Sequence, residues 1–230
     1  SPSSAASDVY KRQLLHSLEL SSCLKTREFL FLGFFTSIHI LKLNFIVSSI
    51  NDQLLFAFHE QEDMVTNIVA IFGIMLPFGF VILPFTAYLL RRSPVDAMQV
   101  ANYFAVIYTA CLALRPTDFW LQVMVTFPLV AVSRQLVYST IFFMVGEYFG
   151  FKNYGVLLGL INIIVSAVGM IQYPLVLMTE RYNGGNYFHA DLLLLAVITP
   201  LFFADHILKS DVAAPKIEAH DSVTKNSVLK

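Results

Sequence analysis

Charged residues are scarce in this chain of 230 residues: Asp, Glu, Lys and Arg together make up 13%, against about 25% in soluble proteins. A formal net charge of −1 excludes the basic surface that nucleic-acid-binding proteins need. The chain also lacks a glycine-rich phosphate loop, a Cys/His metal-binding spacing and a serine nucleophile with its histidine. The sequence therefore predicts no enzyme, no cofactor and no metal site.

Cysteine is rare as well, and the sequence contains no Asn-x-Ser/Thr glycosylation signal. The only two cysteines are Cys23, before the first long apolar stretch, and Cys111, at the far end of the third. If those stretches cross a membrane, the two thiols face opposite compartments. We therefore expect no disulfide between them.

Long apolar stretches dominate what is present, and hydrophobic residues make up 57% of the chain. A helix needs about 20 apolar residues to cross a bilayer core of roughly 30 Å. The sequence predicts an all-α membrane protein with six transmembrane helices, of which the second, third and fifth contain no charged residue. We call them spans one to six: Phe29–Ile50, Met64–Leu90, Ala97–Leu114, Phe119–Val145, Tyr154–Met178 and Phe188–Leu208.

The distribution of Lys and Arg in the connections predicts the orientation. One side carries only Arg115 and Arg181, and the side with both termini carries eight cations near the membrane. Both termini are therefore expected in the cytoplasm, and the plasma membrane is the expected location. The eight cations are Lys11, Arg12, Lys25, Arg27, Arg91, Arg92, Lys152 and Lys209.

The two polar ends of the chain are expected to be disordered and cytoplasmic. Residues 1–26 form the leader, and its run Ser3–Gln13 resembles translated adaptor sequence, so the leader is expected to be in part not native. Residues 209–230 form the tail.

Six helices with both ends on one side fit one half of a twelve-helix transporter, built as two inverted three-helix repeats. This pairs span one with four, two with five and three with six. Spans one and four are the two with a cation well inside the apolar stretch, Lys42 and Arg134. In span two, Pro77 and Pro84 predict kinks.

Arg134 is the strongest candidate for function. An arginine at mid-bilayer costs at least about 2.5–3.5 kcal/mol, so it is expected to face a cavity or the bundle interior with an anionic partner. Asp191 and Asp205 lie near the ends of span six, and no acid is predicted deep in any span. The partner is then the substrate or an acid of another half. The alternative is that Arg134 only bridges helices through backbone carbonyls.

Proton-driven carriers usually need an embedded acid that titrates. Its absence from the predicted spans favours a facilitative carrier.

Lys42 is the weaker case, because it lies about 12 Å from the predicted outer end of span one and its stem could snorkel toward water. His39 on the same face is more often a hydrogen-bonded interior histidine than a proton relay. The predicted lining of the substrate pathway comprises Arg134, Ser133, Tyr138, Thr126, Gln122, Thr36, His39, Lys42, Asn162, Ser166 and Tyr173.

Two further groups have predicted roles. Gly155, Gly159 and Gly169 share one face of span five with Asn162 and Ser166, and small residues at such spacing predict close helix packing. For the polar members of that face, interhelical hydrogen bonds are an equally good interpretation. After span two, Arg91 and Arg92 are expected to hold a cytoplasmic gate through charge contacts.

Three segments carry a resemblance to a known family: Val132–Ser139 (VSRQLVYS), Phe149–Gly155 (FGFKNYG) followed by Gly159-Leu160, and Gln172–Pro174 (QYP). They resemble solute carrier family 43 of the major facilitator superfamily, whose members are sodium-independent uniporters of large neutral amino acids, with a branch that carries purine nucleobases. Of the superfamily's loop pattern Gly-x-x-x-Asp-Arg-x-Gly-Arg-Arg, only Arg91-Arg92 is present. The resemblance implies that a further N-terminal half of six helices completes the carrier.

The leading hypothesis is therefore the C-terminal half of a facilitative carrier of large neutral amino acids, with membrane lipid, a small-molecule substrate and an N-terminal half as partners. Transport of a purine nucleobase or another small solute is the alternative. A hypothesis of another class is a non-transporting six-helix assembly subunit or receptor-like protein. A half-transporter is expected to associate through spans one and four.

Overall fold

The computed structural model describes residues 20–59 and 61–203. Most of the predicted leader, the last residues of span six and the tail lie outside the described residues. Within the described part the chain forms helices and no strand. Five helices are long and apolar enough to cross a membrane, and a shorter apolar helix, Phe188–Phe203, takes the place of span six. The five are Arg27–Ala57, Glu62–Arg92, Pro94–Leu114, Phe119–Phe149 and Tyr154–Tyr182.

This architecture confirms the coarse prediction of an α-helical membrane protein. The predicted sixth helix of full membrane-spanning length lies only partly within the described residues. A short helical turn, Leu20–Cys23, precedes span one.

Polar side chains cap the starts of three spans. The hydroxyl of Thr26 accepts a hydrogen bond from the Phe29 amide at 3.3 Å, and Asp118 accepts one from the Leu121 amide at 3.1 Å. The Ser93 hydroxyl caps span three in the same way, 3.2 Å from the Asp96 amide. Such caps satisfy backbone donors that have no partner inside the helix.

Spans two, four and five are not uniform helices. Span two consists of helix Glu62–Met75, a 3₁₀ segment Pro77–Ile82 and helix Leu83–Arg92. Span five divides into Tyr154–Gly169 and Gln172–Tyr182. The α-helix of span two is thus interrupted near both prolines that predicted a kink, since Pro77 and Pro84 each lack the amide that would continue the helix.

Span four contains one wider turn of π-helix, Gln122–Thr126, followed by the regular helix Phe127–Phe149. This turn lies close to the start of span four.

Span one is the centre of the bundle. Of its most apolar 18-residue window, 78% is buried, whereas the corresponding share for spans two and five is only 17% each. Span one packs on spans two, four, five and six, and span four packs on spans one, two, three and five. Span three contacts spans two, four and six, and span five contacts span six.

Spans two and five consequently carry more exposed large apolar side chains than any other span among the described residues. The apolar window of span one is largely covered by spans two, four, five and six within this bundle, and the expected association through spans one and four stays a prediction.

Candidate functional site

Arg134 lies in the middle of the 31-residue helix Phe119–Phe149, with its side chain exposed. It faces an open cavity of about 530 Å³ between span four and the broken part of span two. Gln135 and Tyr138 line the same cavity, and no acidic residue does. The structure gives Arg134 no ion-pair partner among residues 20–59 and 61–203. The cavity therefore presents an uncompensated guanidinium, the group that binds carboxylates most strongly.

Gly79 creates the close approach beside this cavity. A Cβ atom at this position would lie 2.5 Å from the backbone oxygen of Ala131 in span four. Only glycine allows the 3₁₀ segment of span two to reach the span-four backbone at this point.

A second cavity, of about 400 Å³, adjoins the first, since Ala131 lines both. Its other lining residues are almost all apolar: Ile74, Met75, Phe78, Gly79, Pro128 and Val132. A cationic compartment and an apolar compartment thus lie side by side along span four.

Lys42 does not snorkel, contrary to the prediction. Its side chain is 0% exposed, and its Nζ lies 2.7 Å from the Oδ1 atom of Asp191. Span one extends to Ala57, so Lys42 lies about 22 Å from the end of the helix rather than 12 Å. A lysine at that depth is stable only with a partner, because an unpaired buried charge is strongly destabilising.

The expectation that no acid reaches the depth of these cations is also wrong. Asp191 belongs to the first turn of Phe188–Ile198, and its carboxylate nevertheless meets Lys42 from the middle of span one. The ring of Tyr187, just before it, lies 6.0 Å from the ring of Phe45 in the middle of span one. An acid near the end of a span in sequence is therefore at the middle of its neighbour in space.

His39 belongs to the packed interior, as the more conservative interpretation predicted. Its Nε2 is 2.9 Å from the Oδ1 of Asn102 in span three. The amide nitrogen of Asn102 donates to the backbone oxygen of Leu201 at 3.1 Å. Together these contacts tie spans one, three and six to each other.

Several other predicted pathway residues are buried between helices and do not line an open cavity. Thr36 donates to the backbone oxygen of Leu32 at 2.7 Å, and Gln122 donates to that of Arg115 at 2.8 Å. Thr126 lies within 3.5 Å of the Leu121 oxygen. The Ser133 hydroxyl is buried without a hydrogen-bond partner among the described residues. Gln122 thus bonds to the end of span three, and neither Gln122, Thr126 nor Ser133 lines the Arg134 cavity.

On span five, the structure places Asn162, Ser166 and Tyr173 at the exposed surface. The Ser166 hydroxyl donates to the Asn162 backbone oxygen at 2.8 Å, which is a contact within one helix. These residues and Arg134 do not share a cavity among those that the described residues form.

The prediction of close helix packing at Gly155, Gly159 and Gly169 is not met within the described residues. A Cβ at any of these three glycines would have no neighbour within 4 Å. The small-residue face of span five points away from this bundle, because span five packs on span one through its opposite side.

Arg91 and Arg92 are exposed in the last turn of Leu83–Arg92. Cations at this position interact favourably with the helix dipole. The structure shows no gate contact for them within the described residues, so the gate stays a prediction.

Sequence reasoning missed Asn102 as a site residue and misjudged Asp191. A signal existed for Asn102: it is one of the few polar residues inside span three, and such residues face other helices. For Asp191, no sequence signal showed that its carboxylate meets Lys42.

Comparison with known proteins gives no match: no protein-family model, no curated protein and no solved structure matches the chain.

Proposed function

We propose that this chain is one six-helix half of a facilitative transporter in the major facilitator architecture, and that it carries large neutral amino acids by alternating access. The observation that carries the proposal is the Arg134 cavity. Its guanidinium is open to solvent at the middle of a membrane-spanning helix and has no acidic partner among the described residues. An arginine in that position is costly, which is the usual sign of a substrate or ion pathway.

The neighbouring apolar cavity supports the choice of substrate class. A large neutral amino acid has a carboxylate and an apolar side chain, and the two cavities that share Ala131 offer a guanidinium and an apolar wall. A bidentate contact between the guanidinium and the carboxylate would fix the orientation of the ligand.

The packing pattern supports two inverted repeats. Exchanging span one with four, two with five and three with six turns each closely packed pair into another closely packed pair. For example, the contact of one with five becomes that of four with two, and the contact of one with six becomes that of four with three. Lys42 and Arg134 also correspond, since each occupies the middle of a 31-residue helix.

The interrupted helices correspond under the same exchange. Spans two and five are both broken near their middle and are both the least buried. Paired interrupted helices mark the binding site in many transporters, and a break provides a hinge for alternating access. The exposed faces of spans two and five are the surface on which we expect a second six-helix half to dock.

The proposal is tested by uptake of labelled leucine into proteoliposomes that contain the complete transporter, with and without proton and sodium gradients. We expect saturable leucine uptake. Neither the proton nor the sodium gradient should raise the leucine concentration inside the proteoliposomes above that outside. Accumulation driven by either gradient would contradict facilitative transport. Absence of leucine uptake would remove the amino-acid assignment and leave purine nucleobases as the next substrates to test.

The alternative of a non-transporting assembly subunit makes a different prediction for Arg134. In a subunit, replacing Arg134 alters association with other proteins and no solute flux is observed. A leucine flux that depends on Arg134 contradicts that alternative.

A further inference from the structure

A cavity of about 500 Å³ opens between the ends of spans one and three and the start of span six. It shares no lining residue with the Arg134 cavity. Its volume is in the range of small-molecule sites. Its wall comes from the last turns of spans one and three, the start of span six and the three connections that meet at this end of the bundle.

Asp191 is the charged group at the inner side of this cavity. The residue lines the cavity but is only 1% exposed. Its Oδ1 atom accepts from Lys42 at 2.7 Å, and its Oδ2 atom has no hydrogen-bond partner among the described residues. A carboxylate can accept about four hydrogen bonds. Asp191 therefore keeps unused acceptor capacity while Lys42 holds it in place.

Two more buried polar residues line the cavity. The amide nitrogen of Gln53 donates to Ser49 at 2.8 Å, which leaves its carbonyl oxygen as a free acceptor. The hydroxyl of Tyr187 is buried and has no partner among the described residues. No lysine or arginine belongs to the lining.

The surroundings of Tyr187 are negative. Burial, followed by the nearby carboxylates of Asp52 and Glu180, raises the pKa of Tyr187 to about 12. The phenol therefore stays neutral at physiological pH, and its oxygen is available as an acceptor. The same carboxylates would attract a cation to this end of the bundle.

We propose that this cavity is a binding site for a small solute with a primary ammonium group, which donates hydrogen bonds to Asp191 Oδ2, the Gln53 carbonyl and the Tyr187 oxygen. The site goes beyond the transport function, because its binding chemistry does not depend on whether the chain moves a solute. Lys42 acts here as a positioning residue, since it orients the carboxylate without lining the cavity.

The test is calorimetric titration of the full chain in lipid nanodiscs with L-leucinamide, which has the ammonium group but no carboxylate. The wild type is expected to bind it, and Asp191→Asn is expected to weaken binding by about tenfold or more, since hydrogen bonds to charged groups are among the stronger ones. Tyr187→Phe and Gln53→Leu should each weaken binding by a smaller factor.

Asp191→Asn leaves Lys42 without its partner and can unfold the protein. The double variant Lys42→Met/Asp191→Leu removes both charges. Its thermal unfolding should show a folded protein, and it should fail to bind leucinamide. Asp96→Asn removes an exposed carboxylate in the first turn of span three that does not line this cavity, so it is the matched control and should bind leucinamide like the wild type.

The proposal is overturned if the wild type does not bind leucinamide, or if the folded double variant binds it equally well. The compound 4-methylpentanoate has the carboxylate but no ammonium group. If the wild type binds it and the double variant does not, the ammonium assignment is overturned. Leucinamide binding without leucine uptake would support this site and remove the amino-acid assignment from the transport proposal. Leucine uptake without leucinamide binding would support the transport proposal and overturn this site.

Discussion

At the scale of single residues, the two cations in the middle of spans one and four have opposite surroundings. Lys42 is fully buried and paired with Asp191, whereas Arg134 is exposed to an open cavity and has no acidic partner among the described residues. In a buried ion pair, each charge offsets part of the cost of removing the other from water. A guanidinium left open at the same depth is instead available to a ligand.

Replacing Arg134 should therefore affect transport more than folding. In Arg134→Gln we expect leucine uptake to fall by about tenfold or more, because a charge-assisted bidentate contact is lost. The thermal unfolding temperature should stay close to that of the wild type, since Arg134 makes no ion pair among the described residues. Uptake in proteoliposomes and thermal unfolding of the same preparation are the measurements.

Arg181→Gln, at an exposed position in the last turn of Gln172–Tyr182, is the control for loss of a positive charge. Normal uptake by a well-expressed Arg134→Gln variant would contradict the role of Arg134.

Replacing only one partner of the buried ion pair should have the opposite effect. In Lys42→Met the carboxylate of Asp191 is left unpaired, and we expect the free energy of unfolding to fall by about 3–5 kcal/mol. The double variant Lys42→Met/Asp191→Leu should recover most of this loss, since neither charge remains. Chemical or thermal unfolding in detergent measures both values. Equal destabilisation in the single and double variants would show that the pairing is unimportant.

At the scale of elements, the breaks in spans two and five position the site. The 3₁₀ segment Pro77–Ile82 brings Gly79 against the backbone of Ala131, and the two cavities lie along this contact. If span two were an uninterrupted helix, side chains would separate it from span four, and the two backbones would lie farther apart. The break therefore shapes the candidate binding site as well as providing a hinge.

Gly79→Ala should destabilise the bundle by about 1–3 kcal/mol, because overpacking at a tight contact forces backbone shifts. Gly73, in the helix Glu62–Met75 of the same span, is the matched control because a Cβ there would have no neighbour within 4 Å. Gly73→Ala should be neutral or stabilising by up to about 1 kcal/mol, as alanine is the better helix former. Thermal unfolding distinguishes the two, and equal shifts would contradict a close contact at Gly79.

At the scale of the whole molecule, the described bundle leaves two of its helices largely uncovered. Spans two and five expose large apolar side chains, including Phe78, Phe85, Ile163 and Tyr173. The glycine face of span five is uncovered as well. Small residues are favourable where helices approach closely, so this face is suited to contact a second six-helix half.

Enlarging that face should weaken assembly without unfolding this half. For Gly155→Leu/Gly159→Leu we expect reduced co-purification with a separately tagged N-terminal half of the same transporter, because the added side chains hold the helices apart. Ile107→Trp, a bulky change on the exposed side of span three, is the control and should co-purify normally. Unchanged co-purification of the glycine variant would place the interface elsewhere.

The sequence by itself determined the class of the molecule and the positions of its two mid-helix cations. Uncharged stretches of membrane-spanning length leave few alternatives to a helical membrane protein, since backbone groups in lipid must be satisfied within the segment. The proline positions in span two likewise predicted its interruption, because proline removes a backbone donor wherever it occurs. These are properties of one segment at a time.

Only the tertiary structure decided which residues meet. It paired Lys42 with Asp191, placed His39 against Asn102, turned Gln122 toward the end of span three, and left Arg134 open. Helical periodicity shows that residues share a face, but it does not say which face meets a neighbour or how deep the next helix begins. Those outcomes depend on the packing of distant segments, and packing depends on all six spans together.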